Sequence, residues 1–312
     1  MDFWVSHKPP PSYPRFPYNG LRKVATRPPV VIGRSMVESI VLPAAWANHT
    51  ERVDEIWVPS SFLVDVFVNG GVPASKVRVI PEAVDTHLFD PSITEPLALE
   101  QPRGFNFLSI FKWEERKGYD VLLRAFASAF DASDDVCLFI HTYQFDAALP
   151  SDRRNPKAIM KRIKDYLASI DGGKDDSDLP CIQVLTDVLP RMDMPRLYRA
   201  ADAFVLPTRG EGWGLPIMEA MAMGLPAIAT NFSGQLDFMT EENSYLIEVE
   251  AMEHPASSTY DRSLLWARAS WTHLASILRS VVDNPSDARR KGALAREHIV
   301  QSFNEEKVTS LS

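Results

Sequence analysis

The chain has 312 residues, a formal net charge of -8, 45% apolar residues and 24% charged ones. That length suits one large or two compact domains with real hydrophobic cores, and the composition is that of an ordinary globular protein rather than a disordered one. The acidic excess, with Lys and Arg scattered, excludes broad nucleic-acid binding, and no apolar run reaches the roughly 20 residues of a membrane-crossing helix.

The first 30 residues are rich in proline and aromatics without a period, which predicts an irregular surface segment or a chain that begins partway through a domain. The start, "MDFWVSHKPPPSYPRFP", has neither a basic n-region nor an apolar h-region. The expected setting is therefore the cytoplasm, or the cytosolic face of a membrane, and the sequon Asn48-His49-Thr50 is read as incidental. "DEIWVPSSF" predicts a short buried strand, "SFLVDVFVNGG" a helix capped by Ser60 or Ser61 and stopped at Gly70 and Gly71, and "KVRVIP" another strand. Together they make a βαβ unit.

From residue 81, "PEAVDTHLFDPSITEPLALEQPRG" loses periodicity and gains prolines, as linkers do, which sets a boundary near residue 100. Beyond it, strand-like runs alternate with amphipathic helices. "FNFLSIF" is followed by "YDVLLRAFASAF", whose Val121, Leu122, Ala125, Phe126 and Ala129 share one face. The alternation continues through "VCLFI", "KAIMKRIKDYLASI", "CIQVL", "DMPRLYRAA", "DAFVLP", "LPIMEAMAM" and "PAIAT", predicting a parallel sheet with helices on both faces. The last sixty or so residues read as helical, ending in "DARRKGALAREHIVQSF". Cys137 and Cys181 each sit in an apolar run and are expected as buried, reduced thiols.

The chemistry concentrates in "PTRGEGWGLPIMEAMAMGLPAIATNFSG", residues 207 to 234. A strand ends at Pro207, a loop with glycines at 210, 212 and 214 follows, and a helix starts at Leu215 and Pro216. In an open parallel sheet the crevice beyond the strands' carboxyl ends receives ligands, and a helix start offers unpaired N–H groups there. Bare glycines let a phosphate reach the amides of Gly212, Trp213, Gly214 and Leu215, while Glu211 and Glu219 suit ligand hydroxyls. For either acid alone, a dipole partner or an ordinary loop residue explains it as well.

"EGWGLPIME", with its flanks "YRAADAFVLPTRGEGWG" and "AMAMGLPAIATNFSG", resembles the E-x7-E motif of family 4 retaining glycosyltransferases of GT-B fold. The resemblance extends over residues 56 to about 309. It implies an α/β protein of GT-B type, with a complete Rossmann-like C-terminal donor domain and a partial Rossmann-like N-terminal domain. The expected divisions are residues 1–100 for the acceptor side and linker, 101–285 for the donor domain, and 286–312 for a C-terminal helix packing back on the N-terminal part. It further implies transfer of a sugar from a nucleotide-diphosphate sugar to an acceptor hydroxyl, with Glu211 on the sugar and Glu219 on the ribose. "FKWEERKG" resembles the family's phosphate-binding segment, so Lys112 and Lys117 are expected to meet the diphosphate. Where the family has glycine and arginine this chain has Phe111 and Lys112, which keeps the charge but loses the bidentate fork.

Arg209 is expected either to touch the donor or to form a salt bridge, and Val188, within "LTDVLPRMDMP", lies in a segment that resembles the nucleobase wall. Glu82 and Asp85, in the segment that resembles the crossing between domains, are expected to line the cleft, and hinge structure explains them about as well. On the acceptor side only about 90 residues precede the linker; "VIGRSMVESIVLPAAW" resembles a late acceptor-domain segment, and His7, Arg34 and Glu38 border the expected cleft. No metal and no cofactor beyond the donor is expected, and the D-x-D spacing of Asp176, Ser177 and Asp178 reads as a solvated acidic turn. One other reading stays open, a nucleotide-sugar-binding pseudoenzyme or fragment lacking a complete acceptor domain; the flanks of the motif speak against an enzyme of other chemistry such as an epimerase. The acceptor, whether glycan, lipid or protein, has no signature in the sequence.

Overall fold

The computed structural model describes residues 3–13, 30–144, 155–170 and 177–311. The N-terminal unit runs β1 (Phe3–His7), β2 (Val30–Arg34), α1 (Ala44–Ala47), β3 (Glu55–Val58), α2 (Ser61–Asn69) and β4 (Val77–Val79). Its strands lie parallel in the order β1-β2-β3-β4. The apolar positions of α2, Leu63, Val66 and Phe67, pack with Val31, Ile56 and Val58 of the strands into one core. Ser60 does occupy the N-cap of α2, but its hydroxyl makes no cap bond. It donates instead to the Gly212 carbonyl at 3.0 Å, and the Ser61 amide and hydroxyl donate to the Asp237 carboxylate at 2.8 and 2.6 Å. The start of α2 is thus bonded to the second unit.

That unit comprises β5 (Phe105–Trp113), α3 (Tyr119–Ala129), β6 (Val136–Gln144), α4 (Pro156–Ser169), β7 (Cys181–Leu185), α5 (Met194–Arg199), β8 (Ala203–Leu206), α6 (Leu215–Ala222), β9 (Ala227–Thr230) and β10 (Tyr245–Ile247). After them come β11 (Val249–Glu253), β12 (Trp266–Ala269), α7 (Trp271–Asp283), α8 (Pro285–Ser302) and α9 (Glu305–Thr309). Six strands form a parallel sheet in the order β10-β9-β8-β5-β6-β7. The chain builds outward from β5 to β7, then returns to lay β8 on the other side of β5. In this topology ligands usually sit beyond the carboxyl ends of the strands that flank the reversal, here β5 and β8. The five α3 residues assigned to one face are all buried, with Phe126 in ring contact with Phe107 of β5.

The first segment contains β1, in register with β2 from Phe3 opposite Val30 to His7 opposite Arg34, in keeping with "WVSHKPP" as the end of a strand. Two features differ from the sequence expectation. The C-terminal stretch is not all helix, because β11 and β12 form an antiparallel hairpin before α7. Finally, Cys137 and Cys181 are joined in a disulfide rather than free. Sheet register sets them directly opposite each other on β6 and β7, with Cα atoms 4.6 Å apart, a proximity that 44 residues of intervening chain conceal in the sequence.

Residues 81–100 run along the second unit, with Val84 and Phe89 in its core. The Val84 amide donates to the Phe303 carbonyl at 3.0 Å, and Val84 bridges Asn304. Helix α8 lies against α6 and α7, and its Arg296 bonds the carbonyls of Ala222 and Phe89 and pairs with Asp90 at 3.0 Å. This approach requires Gly292, since a Cβ there would collide with the Gly224 carbonyl. Gly292→Ala is therefore expected to lower the unfolding free energy by about 1–3 kcal/mol in urea denaturation despite alanine's better helix propensity. A change within about 0.5 kcal/mol, the usual range of surface substitutions, contradicts this packing.

Candidate active site

Two loops lock together at this edge of the sheet. After β5, a single turn (Glu115–Lys117) ends at Gly118, whose φ of +68° suits glycine and whose missing Cβ makes room for the Pro207 carbonyl. That carbonyl begins the loop after β8. The Arg209 amide then donates to the Arg116 carbonyl at 2.7 Å, so the two loops share backbone bonds. Arg116 and Lys117 are thereby held facing Glu211.

Glu211 is 6% exposed and Lys117 8% exposed. The Lys117 ammonium donates to Glu211 Oε1 at 2.6 Å, Thr208 Oγ1 donates to the same oxygen at 2.8 Å, and Arg116 pairs with Oε2 at 3.3 Å. Burial by itself raises a carboxyl's pKa, but the charges of Lys117 and Arg116 and the two hydrogen bonds outweigh it and hold Glu211 at about 2. Arg116 also donates to the Gly210 carbonyl at 2.7 Å and pairs with Glu114 at 2.9 Å and Glu38 at 3.7 Å. Burial disfavours its charge, yet the carboxylates of Glu211, Glu38 and Glu114 overcome that and raise its pKa. The result is a largely buried cluster at the reversal of the sheet, in which Lys117 and Arg116 flank the ionised Glu211 and Arg116 also pairs with Glu114 and Glu38.

Glu219 lies one turn into α6, where Tyr198 Oη donates to its Oε2 at 2.8 Å. Burial raises the Glu219 pKa against the opposing effect of that bond. Each glutamate has its own partners. Gly214, with φ +105°, caps the start of α6, and Leu215 is 42% exposed. The Trp213 ring is buried, with Nε1 donating to Met218 Sδ at 3.4 Å and ring contacts to Phe238 and Phe303.

The loop glycines serve contact between the two units as well as bare backbone. A Cβ on Gly212 would approach the Met36 side chain to 2.8 Å, and one on Gly210 would approach the Glu38 carbonyl to 2.7 Å. Arg209 is committed internally: its guanidinium meets both Asp120 oxygens at 2.8 Å, Glu253 at 2.7 Å and the Glu115 carbonyl at 2.9 Å. This is the salt-bridge alternative of the sequence reading, and it anchors the loop to α3 and β11. Lys112, next to last in β5, is exposed and stands opposite Tyr143 in the register. Val188 is 71% exposed beyond β7.

Of the acceptor-side residues, the structure brings only Glu38 to the cluster. Arg34 pairs with Glu82 at 2.8 Å and donates to the Ile80 carbonyl at 3.1 Å; His7 is exposed at the end of β1. Asp85 caps its own turn through the amides of His87 and Leu88. Asp176 lies outside the described residues, Asp178 is exposed, and no group of three or more metal-binding side chains occurs among the described residues. Arg116, Thr208, Tyr198 and Ser233 were missed. Arg116 had a signal in its adjacency to Lys117; the others had none apart from lying in the flanks of the motif.

The chain belongs to the family of glycosyl transferases group 1, whose model matches residues 103–259. It is 26% identical over 178 residues to the mannosylfructose-phosphate synthase of Agrobacterium fabrum, a match covering 55% of this chain and 36% of that enzyme. The chain thus spans about a third of that curated relative. The crystal structure of Anabaena Alr3699/HepE in complex with UDP and glucose superposes with a TM-score of 0.65 at 15% identity, over 91% of this chain and 69% of that one. Sucrose-phosphate synthase from Thermosynechococcus elongatus gives 0.66 at 19% identity, over 91% and 66%. At such identities the likeness establishes the fold, which is GT-B.

Glu211 titrates near 2 in the folded protein against an ordinary value of 4.5, so its stabilising contribution is complete above about pH 4.5 and is lost as pH falls through about 2. The stability difference between wild type and Glu211→Gln, followed by denaturant unfolding, is expected to shrink by about 3 kcal/mol from pH 5 to pH 2. A difference that stays constant across that window contradicts the cluster.

Proposed function

We propose that this chain carries the donor site of a retaining glycosyltransferase that moves a sugar from a nucleotide-diphosphate sugar to an acceptor hydroxyl. The observation that carries the reading is the buried cluster of Lys117, Arg116 and Glu211 at the reversal of the six-stranded sheet. A sugar diphosphate brings about two negative charges to this edge, and Lys117 and Arg116 answer them, with Lys112 as a further cation at the end of β5. The amides from Gly212 to Leu215 at the start of α6 add neutral donors. Glu211 accepts from hydroxyls of the transferred sugar. Glu219, held by Tyr198, accepts from the ribose, and Val188 borders the base.

In the reaction, the bond between the anomeric carbon and the diphosphate oxygen breaks while the acceptor oxygen bonds to that carbon on the same face. The acceptor's proton passes to the departing phosphate oxygen, so no enzymic nucleophile takes part. The charge that grows on the diphosphate is stabilised by the preorganised cations, and no metal or further cofactor is assigned. The acceptor, a glycan, lipid or protein, approaches from the N-terminal unit, where Glu38 meets Arg116 and where His7 and Arg34 end neighbouring strands.

HepE's structure holds UDP and glucose, which makes a uridine donor the first probe. With UDP-glucose, GDP-mannose and ADP-glucose as a panel, one donor is expected to raise the melting temperature by linkage. Lys117→Ala and Glu211→Gln are expected to lower nucleotide release from that donor ~10²-fold to 10³-fold. Absence of any shift, or near-normal release by Lys117→Ala, overturns the proposal, whereas a shift without release leaves a binding module.

A further inference from the structure

Ser233 has φ +72° and ψ -155°, a region of backbone space that is essentially glycine's, and it is one of two non-glycine residues with positive φ among those described. Glycine, having no Cβ, adopts this conformation freely. The serine is 3% exposed and its hydroxyl is fully committed. Oγ donates to Gln235 Oε1 at 3.0 Å and accepts from the Glu211 amide at 2.9 Å. Gln235 is fully buried, and its Nε2 donates to the Thr230 carbonyl at 2.9 Å, which fixes the polarity of the chain. With its only proton given to Gln235, the Ser233 hydroxyl has only lone pairs left for Glu211.

The next residue completes the grip. The Gly234 amide donates to the Glu211 carbonyl at 3.1 Å, and a Cβ on Gly234 would collide with the Gly212 carbonyl. Both polar groups of the Glu211 backbone are therefore held by one dipeptide from the loop after β9, while Lys117, Arg116 and Thr208 hold its side chain. A strained backbone persists where the surroundings demand it, and here the demand is the hydroxyl's bond to Glu211.

We propose that Ser233 is a positioning residue for Glu211, retained in a glycine conformation because its hydroxyl fixes the Glu211 backbone against the Lys117 and Arg116 cations. The catalytic consequence depends on the donor-site reading above; the effect on Glu211 itself does not. The decisive variant is Ser233→Gly, which removes the hydroxyl and relieves the backbone, whereas Ser233→Ala removes the hydroxyl and keeps the strained Cβ.

Two readouts test it. In ¹³C NMR of glutamate-labelled protein, with the Glu211 signal assigned by its loss in Glu211→Gln, the Glu211 midpoint is expected to rise by about one unit or more in Ser233→Gly, because a displaced carboxylate loses contact with its cations. Against the donor that the panel identifies, kcat is expected to fall about 10-fold to 100-fold while KM stays within about threefold. A midpoint within about half a unit of wild type, or turnover within about threefold in Ser233→Gly, overturns the role of Ser233. Should Glu211→Gln itself keep wild-type turnover, the donor-site reading fails, and the titration still decides what Ser233 does.

Discussion

The ion pair between Lys117 and Glu211 is the constraint on which the second unit's active edge is arranged. A carboxylate with 6% exposure is tolerable only if it is paired and hydrogen-bonded, and the fold supplies both from the two loops flanking the sheet reversal. Gly118 lets those loops touch, Arg209 ties the second loop to α3 and β11, and Ser233 with Gly234 fixes it from the far side. Remove the pair and these contacts have no charge to organise.

The same loop is also where the two units meet. Met36 and the Glu38 carbonyl lie against Gly212 and Gly210, Ser60 bonds the Gly212 carbonyl, and Ser61 bonds Asp237. The segment between β11 and β12 joins the contact, since the Leu265 amide donates to Ser39 Oγ and the Leu265 carbonyl accepts from the Ile40 amide; within the second unit the amides of Ala256 and Ser257 donate to Glu115 and Tyr260 donates to Glu114. Any change of angle between the units therefore acts on the loop that carries Glu211. The tail beyond α8 bridges Asn304 to Val84 and so holds the connecting segment to the second unit.

Much of this was legible in the sequence because it is local. The alternation of strand and helix from residue 105 onward, the apolar face of α3, the start of α6 at Leu215 and Pro216, and the nomination of Glu211 and Lys117 all follow from short-range pattern and motif. What escaped depends on register and on long-range approach. The Cys137 and Cys181 pairing needs the alignment of β6 with β7, and the β11–β12 hairpin lies in a stretch whose charged and small residues mask its alternation. Arg116 stood beside Lys117 in plain view, but its pairing with Glu211 emerges only once the loops are folded together. Arg209, equally prominent in the motif, is turned inward to Asp120 and Glu253, which no spacing rule in the sequence distinguishes from a ligand contact.

The most direct test of the central claim is a double-mutant cycle on unfolding free energy at neutral pH, using Lys117→Met, Glu211→Gln and the double variant. Buried partners in one charge cluster are coupled, so the account predicts an interaction energy of about 2 kcal/mol or more, with the double variant far less destabilised than the two single losses together. Losses that simply add, within about 0.5 kcal/mol, contradict it.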